Sequence, residues 1–320
     1  MTGYDALRTD AAWIDLSSRG KIRLMGEDRA RLLHAMTTNQ IEKLAVGESC
    51  YTFFLNAQGR ILADSNVLCE AESLLLDTEP ETRERVFQHL DQFIIADDVT
   101  LEDATDALAT IAVEGPQAAA VLMKLGAPIP ENAWVAWGDR IVLRAATTGD
   151  NGWLIFVPVG GKHALIESLS EVPLADAEAA RVVRIENGKP RYGEEITDRF
   201  LLQESGQMHA VNFSKGCYLG QEIVERVRSR GQVHRHLMRV QIDAAEAPPV
   251  GTKLTADGKE LAEIVSAAFS PGLQKVVAMA YVRTDAARAG FGLSFGGTSA
   301  VVLGANEGGT STMNGGRGTA

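Results

Sequence analysis

Three textures of hydrophobic and polar positions follow one another along the chain. Up to about residue 106, strand and helix patterns mix. "KIRLMG" (21–26) predicts a short strand, and in the "EDRARLLHAMTTNQI" that follows, Leu32, Leu33 and Met36 recur at helical spacing. Glu27 and Asp28 put acids at that helix's N-terminus, where its dipole favours them. "CYTFFLN" (50–56) and "RILADSNVLCE" (60–70) predict two strands joined as a hairpin across "AQG". "SLLLDTE" predicts another strand, and Pro80 opens a helix over "PETRERVFQHLDQFI".

From about residue 107 the alternation is more regular. "ALATIAVEG", "DRIVLRAA" and "GWLIFVPV" read as strands; "PQAAAVLMKLG", "GKHALIESL" and "DAEAARVVRIENG" read as helices. Strand–helix–strand–strand–helix is the order of a ferredoxin-like unit. After Arg230 short alternating strands ("HRHLMRVQID", "TKLTADGKELAEIVSAAFS", "QKVVAMAYVR") are broken by "PPVG", "ADG" and "SPG". These predict a separate small all-β barrel or sandwich. The glycine-rich end from Gly296 lacks the composition to bury a core and is expected to be disordered. The fold class is therefore α+β. Its expected parts are two interleaved α+β subdomains over 1–230, a barrel over 231–295 and a tail over 296–320.

Charge narrows the function. With 42 acids against 31 bases, the net charge of −11 argues against a non-specific grip on nucleic acid, which needs a basic face. No apolar run approaches the ~18 residues of a membrane span. The N-terminal stretch lacks a basic segment followed by an apolar one, so a cytoplasmic address is expected. The cysteines, Cys50, Cys69 and Cys217, are odd in number and match no metal-binding spacing. Alone they cannot supply the four thiolates an iron–sulfur cluster usually takes.

The densest candidate chemistry is "KGCYLGQEIVERVRSR" (215–230). Gly216 and Gly220 allow tight turns around Cys217. A helix over "QEIVERVRS" would set Cys217 just before a helix N-terminus, and with Lys215 nearby both would favour the thiolate. Glu222 and Arg226, four apart, can pair on that helix. Arg226, Arg228, Arg230 and Arg235 form a basic cluster suited to an anionic small ligand, or else a solvated face. Cys217 itself is either reactive or a small packed hydrophobe, and the octapeptide holds no histidine to act as its base. In "RIENGKPRYGEEI" (184–196), Glu186 near a helix end can accept N–H groups from a heterocycle or can be a surface glutamate. Asp64 in "AQGRILAD" is a weaker candidate.

Taken together, these stretches resemble the YgfZ/GcvT family, folate-binding relatives of the glycine cleavage T-protein. "KGCYLGQE" is similar to its K-G-C-[FY]-x-G-Q-E signature, continued by Arg226, Arg230, Gly231 and Arg235. "RIENGKP" resembles R-[IL]-E-x-G-x-P, "NAQGRILAD" resembles its glycine-turn hairpin, and "DLSSRGKIRLMGEDRARLLHAMTTNQI" is similar to its opening. The resemblance spans about residues 13–295. It implies a GcvT-like multi-domain fold around a central hole, with tetrahydrofolate or a one-carbon derivative as ligand. Glu186 would then hold the pterin edge, and the arginines or the lysine would meet the glutamate tail. Cofactor contacts are expected from Glu186, Asp64, Tyr218, Gln221, Glu222, Arg226, Arg230 and Arg235, with Cys217 and Lys215 as the reactive pair.

Relatives with the cysteine signature are linked to assembly or repair of iron–sulfur enzymes and, through them, to tRNA modification. That makes client iron–sulfur proteins the expected partners. The T-protein's turn carries paired acids, whereas this chain has Ala63-Asp64, which bears on aminomethyl transfer. Three readings stand: a folate-binding accessory protein for iron–sulfur enzymes, a folate-dependent aminomethyltransferase, and a folate-stabilised scaffold with an inert cysteine.

Overall fold

A computed structural model describes residues 1–304 apart from Asp150, Gln232 and the side chain of Arg230. Helix α1 (Gly3–Thr9) leads into strands β1 (Ala12–Asp15) and β2 (Gly20–Met25), then α2 (Arg29–Met36). The hairpin β3 (Ser49–Leu55) and β4 (Ile61–Cys69) is followed by β5 (Ser73–Thr78), α3 (Arg83–Asp91) and β6 (Thr100–Asp103). These strands form an antiparallel sheet in the order β3-β4-β5-β2-β6.

The second sheet draws on β7 (Leu108–Glu114), β8 (Trp134–Trp137), β9 (Arg140–Leu143) and β10 (Gly152–Pro158), with α4 (Ala118–Lys124) and α5 (Lys162–Ser168) between or after them. Its order, β1-β7-β10-β9-β8, contains the ferredoxin-like arrangement, with the outer strand supplied by β1 from the N-terminus. Interleaving of the two subdomains follows from that single strand.

Period-2 alternation explains the layers. In the first sheet Ala63, Val67, Leu74 and Leu76 face α2 and α3, burying Leu33, Met36, Val86 and Leu90. The opposite face turns Leu68 and Leu75 toward Ala112, Leu154 and Phe156 of the second sheet. The second sheet's outer face packs Ile111, Val113 and Ile155 against Leu122 and Leu165 of α4 and α5. The result is helix, sheet, sheet, helix.

Helix α6 (Ala177–Glu186), capped by the Asp176 side chain on Ala179 N, runs along the edge of this stack. Val182 and Ile185 join it to the barrel through Val277, Met279 and Tyr281. After α7 (Gln221–Arg230), strands β11 (Arg235–Ile242), β12 (Lys253–Ala256), β13 (Lys259–Ser270), β14 (Lys275–Arg283), β15 (Gly292–Phe295) and β16 (Thr298–Gly304) close into a barrel.

Strand β16 corrects the expected tail. Thr298–Gly304 pairs with both β11 and β15 and buries Ala300 and Val302, so the barrel runs to Gly304 rather than ending at 295. The apolar alternation in "SAVVL" is diluted by flanking glycines, which is why composition hides it. The rest of the expected tail, 305–320, lies outside the described residues.

Candidate functional site

Where the inner faces of the two sheets part, α6 closes a cavity of about 830 Å³. Its walls come from β4 (Asp64, Asn66), β3 (Tyr51), the end of β5 (Glu79), the second sheet (Ile14, Leu154) and α6. Asp64 reaches it because β4 alternates. Ala63 points into the helix-covered core, so of the two residues in this turn only Asp64 meets the cavity. On β3, Tyr51 shares the inner face with Asp64, and its O–H donates to Asp64 Oδ2 at 2.7 Å.

The charges around Asp64 do not balance. Arg19, from the turn before β2, binds Asp77 through two bonds of 2.8 and 2.9 Å and also pairs with Glu79. Arg191 takes the other Glu79 oxygen at 2.9 Å and binds Glu81. Both guanidinium groups are thus committed to other carboxylates. Asp64 is buried, and its Oδ1 has no hydrogen-bond partner among the described residues. Burial, with the Glu79 charge beside it, pushes the Asp64 carboxyl up to about 7, against the opposing pull of the Tyr51 bond and Arg19. A carboxyl of this kind can hold or release a proton near neutral pH.

The remainder of the wall is positioned by helix geometry and one clasp. Ala177, Ala180, Arg181 and Arg184 follow i, i+3, i+4, i+7 and face the cavity. Arg184 pairs with Glu194 and with buried Glu195, and Arg181 with Glu194. The wall segment 144–148 is pinned by buried Glu114, which accepts the N–H and hydroxyl of both Thr147 and Thr148 at 2.5–2.8 Å. Among the described residues, Arg144 and Lys189 line the cavity without a carboxylate partner; their hydrogen bonds go to backbone carbonyls of Pro130 and Gly149.

Of the residues singled out by sequence, only Asp64 lines this cavity. Glu186 sits two positions past Arg184 on the opposite side of α6. There Tyr4 O–H donates to it at 2.6 Å and Arg8 pairs with it at 3.3 Å, so it latches α1 and does not line this cavity. Lys215 is buried, and its Nζ donates to the carbonyls of His34 (2.5 Å) and Thr37 (2.6 Å) at the end of α2. It caps that helix, and its ammonium points at those carbonyls. Burial lowers it to about 8.

Cys217 is exposed on the loop before α7, away from the cavity wall. Tyr218 is buried in the cluster with Phe53, Leu55 and Val224. Gln221 opens α7, and Glu222 pairs with Arg226 at 2.6 Å on its exposed face. Arg235 binds Glu204 at 2.8 Å and lies over Phe200 and Tyr281, fastening the barrel. The Arg230 side chain lies outside the described residues. Of the motif's glycines, Gly220 serves packing. Gly220 has φ +83°, and a Cβ there would stand 2.6 Å from Asn56 O of the hairpin turn.

The cavity residues that sequence reasoning passed over are Tyr51, Glu79, Arg19, Arg144 and Lys189. Tyr51 carried a usable signal: on the antiparallel hairpin it falls on the same face as Asp64. Arg19 carried none, since its partners lie 58 and 60 residues away.

Residues 2–215 match the family model described as "GCVT N-terminal domain", and residues 235–296 match "Glycine cleavage T-protein C-terminal barrel domain". Similar curated proteins include "Putative transferase At1g60990, chloroplastic" of Arabidopsis thaliana, 26% identical over 89% of this chain and 68% of that protein. The "Aminomethyltransferase" of Streptomyces avermitilis is 29% identical over 94% of this chain and 85% of its own length. In fold, the chain superposes on the glycine cleavage system aminomethyltransferase T of Bartonella henselae with a TM-score of 0.84 at 22% identity, covering 95% of this chain and 87% of that one.

Proposed function

Since the chain belongs to the GCVT (glycine cleavage T-protein) family, we propose that it is a folate-dependent one-carbon transferase of the aminomethyltransferase type, working at Asp64. The observation that carries this reading is the unpartnered, buried Oδ1 of Asp64, a residue in the wall of a cavity of suitable size. About 830 Å³ lies within the roughly 300–1,000 Å³ range of small-molecule sites. Curated relatives named as aminomethyltransferases support the choice over the accessory role that the cysteine motif suggests.

The residues present fit tetrahydrofolate as ligand. Asp64 Oδ1 offers an acceptor for a heterocyclic N–H, and Arg144 and Lys189 offer cations for a carboxylate tail. When bound, tetrahydrofolate supplies an amine nitrogen that receives the one-carbon unit. The chain's part is to hold and move a proton. Asp64, its carboxyl raised to about 7, can take a proton from that nitrogen or return one to the departing group at Oδ1. Ile14, Leu154 and Ala180 form the apolar part of the wall. The test is turnover of tetrahydrofolate with a lipoyl protein carrying the one-carbon unit. Wild type should turn over and Asp64→Asn should lose at least ~100-fold; equal rates would sink the reading.

A second reading keeps the YgfZ-type role in which folate binding serves iron–sulfur enzymes and, through them, tRNA modification. Its support is the exposed Cys217 thiol outside the cavity. Beside its loop lies buried His34, whose Nδ1 accepts Ile41 N–H and whose Nε2 would stand 3.7 Å from a Cβ placed at Gly216. Cells carrying Cys217→Ala should then lose client iron–sulfur enzyme activity while tetrahydrofolate affinity stays unchanged. Normal client activity would remove this reading.

A further inference from the structure

We infer that Tyr51 is a positioning residue: by donating its O–H to Asp64 Oδ2, it leaves Oδ1 as the oxygen that exchanges protons in the cavity. This rests on the reading that Asp64 is the working carboxyl. A carboxyl with two equivalent free oxygens would place its proton on either, in several rotamers. Here one oxygen is occupied at 2.7 Å, and the donor itself is held firmly. The Tyr51 ring meets Phe53 edge-on at 5.4 Å and stacks on His209 at 5.4 Å. Its backbone carbonyl accepts Asn39 Nδ2 at 2.9 Å. Among the described residues the Asp64 side chain has no other hydrogen-bond partner, so its orientation depends on this one hydroxyl.

The alternatives for this role are excluded by their own bonds. Asp77 and Glu79, the other carboxylates near Asp64, are saturated by Arg19, Arg191 and Asn66. Tyr192, in the segment after α6 and within electrostatic reach of Asp64, has a hydroxyl that accepts from Arg85 and donates toward Ile61 O. Among the described residues, the charged and titratable groups that bear on this pair are Arg19, Asp77 and Glu79 beside Asp64, Tyr192 within its electrostatic reach, and His209 stacked on Tyr51.

Tyr51→Phe removes the hydroxyl and keeps the ring. The Asp64 carboxyl is followed by carbon-13 NMR of ligand-free protein, assigned by loss of its signal in Asp64→Asn. Thermal melting of Tyr51→Phe checks that the fold persists. Losing a bond that favours the ionised form should make Asp64 a roughly tenfold weaker acid. The pH profile of tetrahydrofolate affinity should move upward in step. An Asp64 titration identical in wild type and Tyr51→Phe overturns the inference. Should wild type not bind tetrahydrofolate at all, the folate reading falls, while the carboxyl titration still decides the part played by Tyr51.

Discussion

Replacing Asp64 with asparagine should stabilise the protein at pH 8 and leave it unimproved at pH 4. The carboxyl is moved from 3.8 to about 7 in the folded chain, first by burial and then by the Glu79 charge. Below pH 3.8 the folded and unfolded chains both hold the proton, and no penalty arises. Between 3.8 and 7 the folded chain alone keeps it, so stability falls by about 1.4 kcal/mol per pH unit. Above 7 both forms are ionised, and the accumulated loss levels off at about 4 kcal/mol.

Asparagine carries no such penalty. Its carbonyl oxygen can still accept the Tyr51 hydroxyl, while its amide nitrogen inherits the position where Oδ1 has no partner. That unpaired donor costs on the order of 1 kcal/mol, leaving a net gain at pH 8 of roughly 2–3 kcal/mol. Urea unfolding of both proteins at pH 4, 6 and 8 measures the difference. A gain that grows with pH supports the reasoning. A difference independent of pH, or a less stable variant at pH 8, would refute it, because Asp64 would then be ionised at no cost.

Arg19→Met should destabilise by about 3–5 kcal/mol in the same unfolding assay, since buried Asp77 would lose both guanidinium bonds and keep Asn66 as its side-chain hydrogen-bond partner among the described residues. Glu186→Ala should leave tetrahydrofolate affinity within about twofold by calorimetry while costing about 1 kcal/mol of stability, because it frees Tyr4 and Arg8 rather than a ligand. Lys215→Met should cost about 2 kcal/mol by orphaning the carbonyls of His34 and Thr37, and alkylation of exposed Cys217 should proceed at an unchanged rate.

Much of the fold was legible because its elements declare themselves locally. The β3–β4 hairpin is signalled by "AQG", α6 by its period and Asp176 cap, and the barrel by alternating strands between glycine and proline turns. What escaped was the pairing of distant segments. That β1 completes the second sheet, or that β16 closes the barrel, depends on contacts at long sequence separation. The site follows the same division. Asp64 was visible in its hairpin, whereas Arg19 and Arg191 acquire meaning only when Glu79 comes between them. The motifs that stood out lie away from this cavity. "KGCYLGQE" is rich in glycine and charge because it must cap α2 and pack on the Asn56 turn, and Glu186 faces away from the cavity because it follows Arg184 by two residues on a helix.

The central claim, that folate is held in the Asp64 cavity, is tested most directly by calorimetric titration with tetrahydrofolate of wild type, Asp64→Asn and Glu186→Ala at pH 7. Wild type should bind saturably, Glu186→Ala should bind equally well, and Asp64→Asn should bind at least ~10-fold more weakly. Binding lost in Glu186→Ala but retained in Asp64→Asn would contradict the claim and move the ligand to the other side of α6.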